Sequence, residues 1–282
     1  MNKRLLISLA HPDDETFGSG GLIAKYVAEG VEVYYIVGTD GSRGTVAPEY
    51  LEKYGSVAAV RAAEMDCAAA ALGLREVFKL GYKDSGMMGT PDNVDPECLW
   101  QADKNVIAQQ IIQIIQQVQP QVVITFDPYG GYGHPDHIAM HHATTLAFYT
   151  TADPNHIANG MTVYRPQKLY YTSFPRGLLS LYIWRNRLRG RDPRKFGRNR
   201  DLNLLTIRDN LMPITTKIDI WDWLDAWDKA ADCHASQGSP RRSTPRWQQK
   251  LFASYQGLTR VFPKHHRGEP IETDLFQGVH LA

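Results

Sequence analysis

The chain has 282 residues, with 31 Lys and Arg against 30 Asp and Glu, so its overall charge gives no reason to expect a nucleic-acid partner. That length suits one large α/β domain, or a domain with an appended tail, with ample material for a core. Cys67, Cys98 and Cys233 are far apart and form no C-x-x-C pair, which argues against a disulfide framework and a thiolate zinc site; buried apolar thiols are expected.

Met1-Asn2-Lys3-Arg4 leads into the apolar run Leu5 to Ala10. A basic start before an apolar run is the pattern of a secretory signal, but this run is too short and His11-Pro12-Asp13-Asp14-Glu15 interrupts it. No stretch approaches the roughly twenty apolar residues of a membrane span. A cytoplasmic protein is expected. Leu5 to Leu9 reads as a fully buried strand, and Thr16 to Gly30 as a helix with Gly30 as its C-cap. Val31 to Val37 is the second strand of a βαβ unit. Ser56 to Leu72 is an Ala-rich helix stopped by Gly73, and Val77 to Leu80 a short third strand. Leu99 to Gln119 reads as a long amphipathic helix ending at Pro120, Val122 to Phe126 as a buried strand, and Asp136 to Thr151 as the next helix. Leu169 to Thr172 adds a further strand.

Tyr182 to Arg200 differs from the rest. It carries Arg185, Arg187, Arg189, Arg191, Arg194, Lys195, Arg198 and Arg200 against one acid, Asp192. Such a run is most often a solvated surface. Because Leu178, Leu179, Leu181, Ile183 and Trp184 precede or begin it, a lid or partner surface is favoured here, with a membrane-surface contact as the alternative. Trp221 to Ala235 and Pro245 to Gly257 read as helices. The expected fold is therefore α/β: a doubly wound, mostly parallel, Rossmann-like sheet with helices on both faces. A single domain over 1–282 carries a basic lid-like insertion at about 176–200 and a C-terminal helical part from about 216.

Two clusters sit where a buried strand gives way to a helix: Ala10-His11-Pro12-Asp13-Asp14-Glu15 and Gly133-His134-Pro135-Asp136-His137. In an open parallel sheet that edge collects ligands. His11, Asp14 and His137 make two imidazoles and one carboxylate, which leave a fourth position open, as in a catalytic zinc site. A metal there activates water and polarises a carbonyl. Asp13 is then the candidate base, and His134 the acid or the partner of the developing negative charge. The plainer alternative is that Asp13 and Asp14 merely cap a helix. Two such clusters at adjoining helix entries favour the metal reading.

Together with Tyr132, these two motifs resemble the PIG-L/LmbE family of zinc-dependent N-deacetylases. Arg61-Ala62-Ala63-Glu64, Gly81-Tyr82-Lys83-Asp84-Ser85-Gly86-Met87 and Ile218-Asp219 followed by His234-Ala235-Ser236-Gln237 extend the resemblance over most of the chain. It implies zinc on His11, Asp14 and His137, with Fe(II) as the alternative metal. It also implies Asp13 as base, His134 as acid and oxyanion partner, Asp136 orienting His134, and Tyr132 near the substrate carbonyl. Arg61, Asp84 and Met87 match substrate-contacting positions, and Glu15 a hydrogen-bonding support. The duller readings are an i,i+3 pair for Arg61 and Glu64 and simple packing for Met87.

The implied reaction removes an acetyl group from an N-acetylglucosamine-type conjugate, a small-molecule substrate, by a chain that could self-associate. The likeness to mycothiol-pathway members adds an alternative, an amidase acting on a larger amide such as a thiol S-conjugate. A catalytically silent sugar-binding protein is the rival of another class. A nucleotide-binding role is disfavoured, because Gly18, Gly20 and Gly21 come too late and with the wrong spacing for a phosphate loop.

Overall fold

Five adjacent parallel strands form most of the sheet: β1 (Arg4–Leu9), β2 (Glu32–Thr39), β3 (Glu76–Tyr82), β4 (Val122–Thr125) and β5 (Lys168–Thr172). β7 (Tyr255–Phe262) lies antiparallel between β5 and β6 (Thr216–Asp219), which completes a seven-stranded order β3-β2-β1-β4-β5-β7-β6. This is a computed structural model that describes residues 2–153, 163–197, 199–238 and 254–281 together with positions 245, 247 and 249. β1 and β4 are neighbours, with Leu5, Leu6 and Ile7 opposite Val122, Val123 and Ile124. All six side chains are buried, each burial contributing about 1.5–3 kcal/mol, and unbroken apolar runs suit strands covered on both faces.

From β1 the chain crosses to β2 on one side, and from β4 to β5 on the other. The gap between the ends of β1 and β4 is therefore the topological switch point, where ligands bind in doubly wound sheets. Both His/Asp motifs leave the sheet at this point.

The helices are α1 (Asp14–Phe17), α2 (Gly20–Ala28), α3 (Pro48–Tyr54), α4 (Val57–Leu72), α5 (Lys104–Val118), α6 (Gly130–Gly133), α7 (Pro135–Thr150), α8 (Arg176–Leu188), α9 (Leu204–Asn210) and α10 (Leu224–Cys233). α5 packs on α7, while α2, α4 and α10 form a second packed group. α4 begins at Ser56, whose hydroxyl accepts from the Ala59 amide at 3.2 Å. α5 begins later than the apolar pattern suggests, because the Asp103 carboxylate caps it at the Asn105 amide, 2.8 Å away.

The helix expected over Thr16 to Gly30 is broken into α1 and α2. The break exposes the Thr16 carbonyl, which accepts the Trp227 indole N–H at 2.7 Å. Gly20 and Gly21 form the notch into which α10 and its preceding turn dock. A Cβ on Gly20 would lie 2.5 Å from the Trp227 ring, and one on Gly21 would lie 2.7 Å from Ile220. These glycines serve packing. Gly20→Ala is expected to destabilise the fold by about 1–3 kcal/mol through overpacking, read as a lower thermal midpoint.

Three other expectations are corrected. The region from 216 is not simply helical, since it contributes β6 and β7 on either side of α10, and α10 itself is preceded by a 3₁₀ turn at Trp221–Trp223. The helix expected over Pro245 to Gly257 falls largely outside the described residues, and Tyr255 to Gly257 belong to β7. Cys67 and Cys233 form a disulfide, with Cα atoms 5.6 Å apart, while Cys98 is free and buried. The pair is 166 residues apart in sequence, and only the packing of α4 against α10 brings it together. The basic stretch forms α8, and α8 and α9 enclose a small cluster of Ile183, Leu204 and Ile207 with Tyr129 packed against it.

Candidate active site

The turn after β1 is shaped by hydrogen bonds of its own residues. Asp14 Oδ2 accepts from the His11 amide at 2.7 Å and the Ala10 amide at 3.2 Å, folding the carboxylate back beside the His11 ring. Asp13 sits at φ 140°, a conformation an L-residue adopts at a cost, as at many sites of chemistry. Its amide donates to Glu15 Oε2 at 2.9 Å, and Glu15 Oε1 lies 2.6 Å from His234 Nε2. Glu15 is therefore the hydrogen-bonding support expected of it, and His234 anchors it in the interior.

The second motif is positioned from β4 through α6. His134 caps α7 by accepting the Asp136 amide on Nδ1 at 3.2 Å, which places the proton of the neutral ring on Nε2. His137 Nδ1 donates to the Gly130 carbonyl at 3.0 Å, and Phe126 stacks on the ring at 3.9 Å. Gly130 has φ 66°, and a Cβ there would lie 2.7 Å from the His137 Cβ, so only glycine lets this carbonyl approach.

These contacts leave three lone pairs converging. His11 Nδ1 is 3.1 Å from His137 Nε2, and Asp14 Oδ2 lies 3.5 Å from each. Tetrahedral ligands about 2.1 Å from one zinc ion are roughly 3.4 Å apart, so the triangle has the dimensions of three corners of such a site. The other nitrogens are already committed: His11 Nε2 faces Asp136 at 3.1 Å and Asp84 at 3.7 Å, and His137 Nδ1 faces Gly130. Such outer contacts set the tautomer of metal-binding imidazoles. A second set of donors, on His11, Asp84, His134 and Asp136, also lies within 4.8 Å of one another.

The electrostatics fit a cation. Burial works against a charged His11, but Asp84, Asp136 and Asp14 outweigh it and raise its pKa well above the usual value. Burial likewise opposes the Asp14 charge, yet His137 and His11 hold its carboxyl well below the usual range. Burial lowers His137 to about 4, leaving a neutral imidazole. Burial pushes Asp13 up to about 6, with the Arg61 guanidinium pulling the other way.

Arg61, only 3% exposed, holds Asp13 Oδ2 at 2.8 Å and also donates to the Pro12 carbonyl. It is thus more than the partner of Glu64, whose carboxylate lies 3.7 Å from it and accepts from the Ser236 amide at 2.7 Å. Asp13, Arg61, Asp84, Met87, Tyr132 and His134 all border one cleft of about 200 Å³ beside His11. The Asp84 backbone is held by Asp40, and its Oδ1 accepts from the Gly86 amide at 2.8 Å.

One expected contact is different. The Asp136 carboxylate is 3.9 Å from His134 Nδ1, whereas it accepts from the Ser85 hydroxyl and amide and lies 3.1 Å from His11 Nε2. It supports His11, and it is the Asp136 amide that orients His134. Arg43 and Gln237 also border the cleft, while Asp40 accepts from the Asp84 amide and Ser85 donates to Asp136; nothing in their residue types marks these four in the sequence as site residues.

His234→Ala is expected to loosen the Asp13 turn and lower kcat about 10- to 100-fold with metal content unchanged, while His234→Gln, which keeps a donor, recovers part of the loss. Steady-state kinetics with elemental analysis checks both.

The fold and these side chains define a doubly wound α/β protein with a buried His/Asp metal-binding group. Residues 6–148 match the family described as PIG-L: GlcNAc-PI de-N-acetylase. A Thermobifida fusca protein named 1D-myo-inositol 2-acetamido-2-deoxy-alpha-D-glucopyranoside deacetylase is 38% identical over 98% of this chain and 99% of its own. The chain belongs to the PIG-L family. The fold is shared with N,N'-diacetylchitobiose deacetylase from Pyrococcus horikoshii (TM-score 0.62, 20% identity, covering 92% of this chain and 84% of that one). It is also shared with the 4-carboxy-2-hydroxymuconate hydratase of Pseudomonas putida (TM-score 0.59, 19% identity, covering 95% and 99%). A hydratase among these structures means that the reaction must be argued from the site and not from the fold.

Proposed function

We propose that this chain is a metal-dependent hydrolase that removes the acetyl group from an N-acetylglucosamine-type conjugate. The leading candidate is the glucosaminyl-inositol named for its Thermobifida fusca relative. The observation that supports this reading most is the triangle of His11 Nδ1, His137 Nε2 and Asp14 Oδ2 beside Asp13. These three atoms would hold the metal. Their N,N,O character suits zinc first and Fe(II) second. When bound there, the cation polarises the amide carbonyl and makes water a nucleophile near neutral pH.

The remaining steps belong to the side chains. Asp13 accepts a proton from the attacking water, and Arg61 fixes the carboxylate for that transfer. His134, a neutral ring with its proton on Nε2, stabilises by hydrogen bonding the negative charge that develops on the carbonyl oxygen, and the proton that Asp13 has taken passes to the departing nitrogen. Tyr132, whose ring lies edge-on to the His134 and His137 rings, would supply its hydroxyl as a further donor toward the carbonyl. Breaking the C–N bond then yields acetate and the free amine. Arg61, Asp84 and Met87 would contact the sugar.

The test is primary-amine release from 1D-myo-inositol 2-acetamido-2-deoxy-α-D-glucopyranoside and from a thiol S-conjugate amide, before and after chelation and zinc re-addition. Faster, chelator-sensitive release from the acetamido sugar is expected. Faster release from the S-conjugate would make the chain an amidase, and sugar binding without any release would make it a binding protein.

A further inference from the structure

α8 has two faces of different kinds. One packs Ile183 and Asn186 inward against α9, where Leu204 and Ile207 meet Tyr129. The other leaves Leu181, Tyr182, Trp184 and Leu188 in solvent, with Trp184 57% and Leu188 68% exposed. Phe174, half exposed, extends this patch just before the helix. An apolar groove of about 460 Å³ opens along it between Phe174, Leu178, Tyr182 and Ile207, with Arg185 at its margin. The outward face of a helix on a water-soluble surface is normally polar. Here apolar side chains are interleaved with Arg185, Arg187 and Arg189, and Arg191, Arg194 and Lys195 follow directly, all of them exposed. In a chain with net charge +1 this is strong local segregation of positive charge.

We propose that this face docks on the surface of an anionic phospholipid bilayer. Both halves of the patch then find a partner: leucine, tyrosine and tryptophan side chains enter the headgroup boundary, while the guanidinium groups meet lipid phosphates. A nucleic acid would use the arginines and Trp184 but offers no aliphatic surface to cover Leu181 and Leu188. A second copy across a two-fold axis would set this arginine-rich patch against itself, which like charges oppose. Among the described residues no helix is long and apolar enough to cross a membrane, so the contact is peripheral. Because α9 also packs against α6, the docked face lies one layer from the loop that carries Tyr132.

The test is co-sedimentation of the full chain with vesicles of phosphatidylglycerol mixed with phosphatidylcholine, and with vesicles of phosphatidylcholine alone. Binding to the anionic vesicles, weakened by added salt, with little binding to the zwitterionic ones is expected. The double variant Trp184→Ser, Leu188→Ser should lower vesicle affinity about tenfold while keeping the thermal midpoint and metal content of the parent. No binding to anionic vesicles at low salt would overturn the proposal. So would equal binding to both vesicle types, or affinity unchanged in the double variant. Tighter binding to single-stranded DNA than to the vesicles, or a dimer that the double variant dissolves, would overturn it in favour of those occupants.

Discussion

Asp13→Asn is expected to bind metal as the parent does and to lose about 10²- to 10⁴-fold in kcat, the usual worth of a positioned general base. The substitution preserves shape, and its amide oxygen can still accept from Arg61, which now lies 2.8 Å from Oδ2. The main-chain contacts to Glu15, Thr16 and Phe17 do not involve the side chain and stay in place. What disappears is the capacity to take a proton. None of the three metal-facing atoms belongs to Asp13, so metal content should not change. Parallel kinetics and elemental analysis check this, and a kcat within about threefold of the parent would remove the base assignment.

The neighbouring carboxylate should behave in the opposite way. Asp14→Ala removes the oxygen that lies 3.5 Å from both His11 Nδ1 and His137 Nε2, leaving two imidazoles to hold the ion. Metal affinity should fall by more than about 100-fold, since even outer-shell partners of metal ligands are worth 10- to 100-fold. The variant also frees the His11 and Ala10 amides from their acceptor, so the turn itself should loosen. Turnover should vanish at ordinary metal concentrations. Competition with a fluorescent chelator measures the affinity directly. Two adjacent acids with opposite phenotypes, one losing chemistry and the other losing metal, would be hard to explain by general damage to the fold.

Much of the site was legible because its parts are local in sequence. His11, Asp13 and Asp14 lie on one turn, His134, Asp136 and His137 on another, and each turn follows an apolar run whose burial on both faces needs no tertiary information. The strand order then brings the two turns together at the switch point. What could not be read depended on contacts across long separations. The Cys67–Cys233 disulfide and the His234–Glu15 contact both require α10 to dock on the first helices, and Trp227 achieves this through the notch at Gly20. The same holds for Asp136: proximity in sequence points to His134, whereas the carboxylate turns to Ser85 and His11. β6 is only four residues long and has no strong apolar run to mark it in the sequence. The N-terminal end of β7 lay within a stretch whose composition suited a helix.

We propose that one metal sits between His11 Nδ1, Asp14 Oδ2 and His137 Nε2. The most direct test is the anomalous difference density of crystals of the zinc-loaded chain at the zinc absorption edge. A single strong peak is expected about 2.0–2.2 Å from these three atoms, with Asp13 and His134 beside it but not bound to it. A peak on the other side of the His11 ring, against Nε2 among Asp84, His134 and Asp136, would contradict it, as would no peak in crystals of protein that solution analysis shows to be fully loaded.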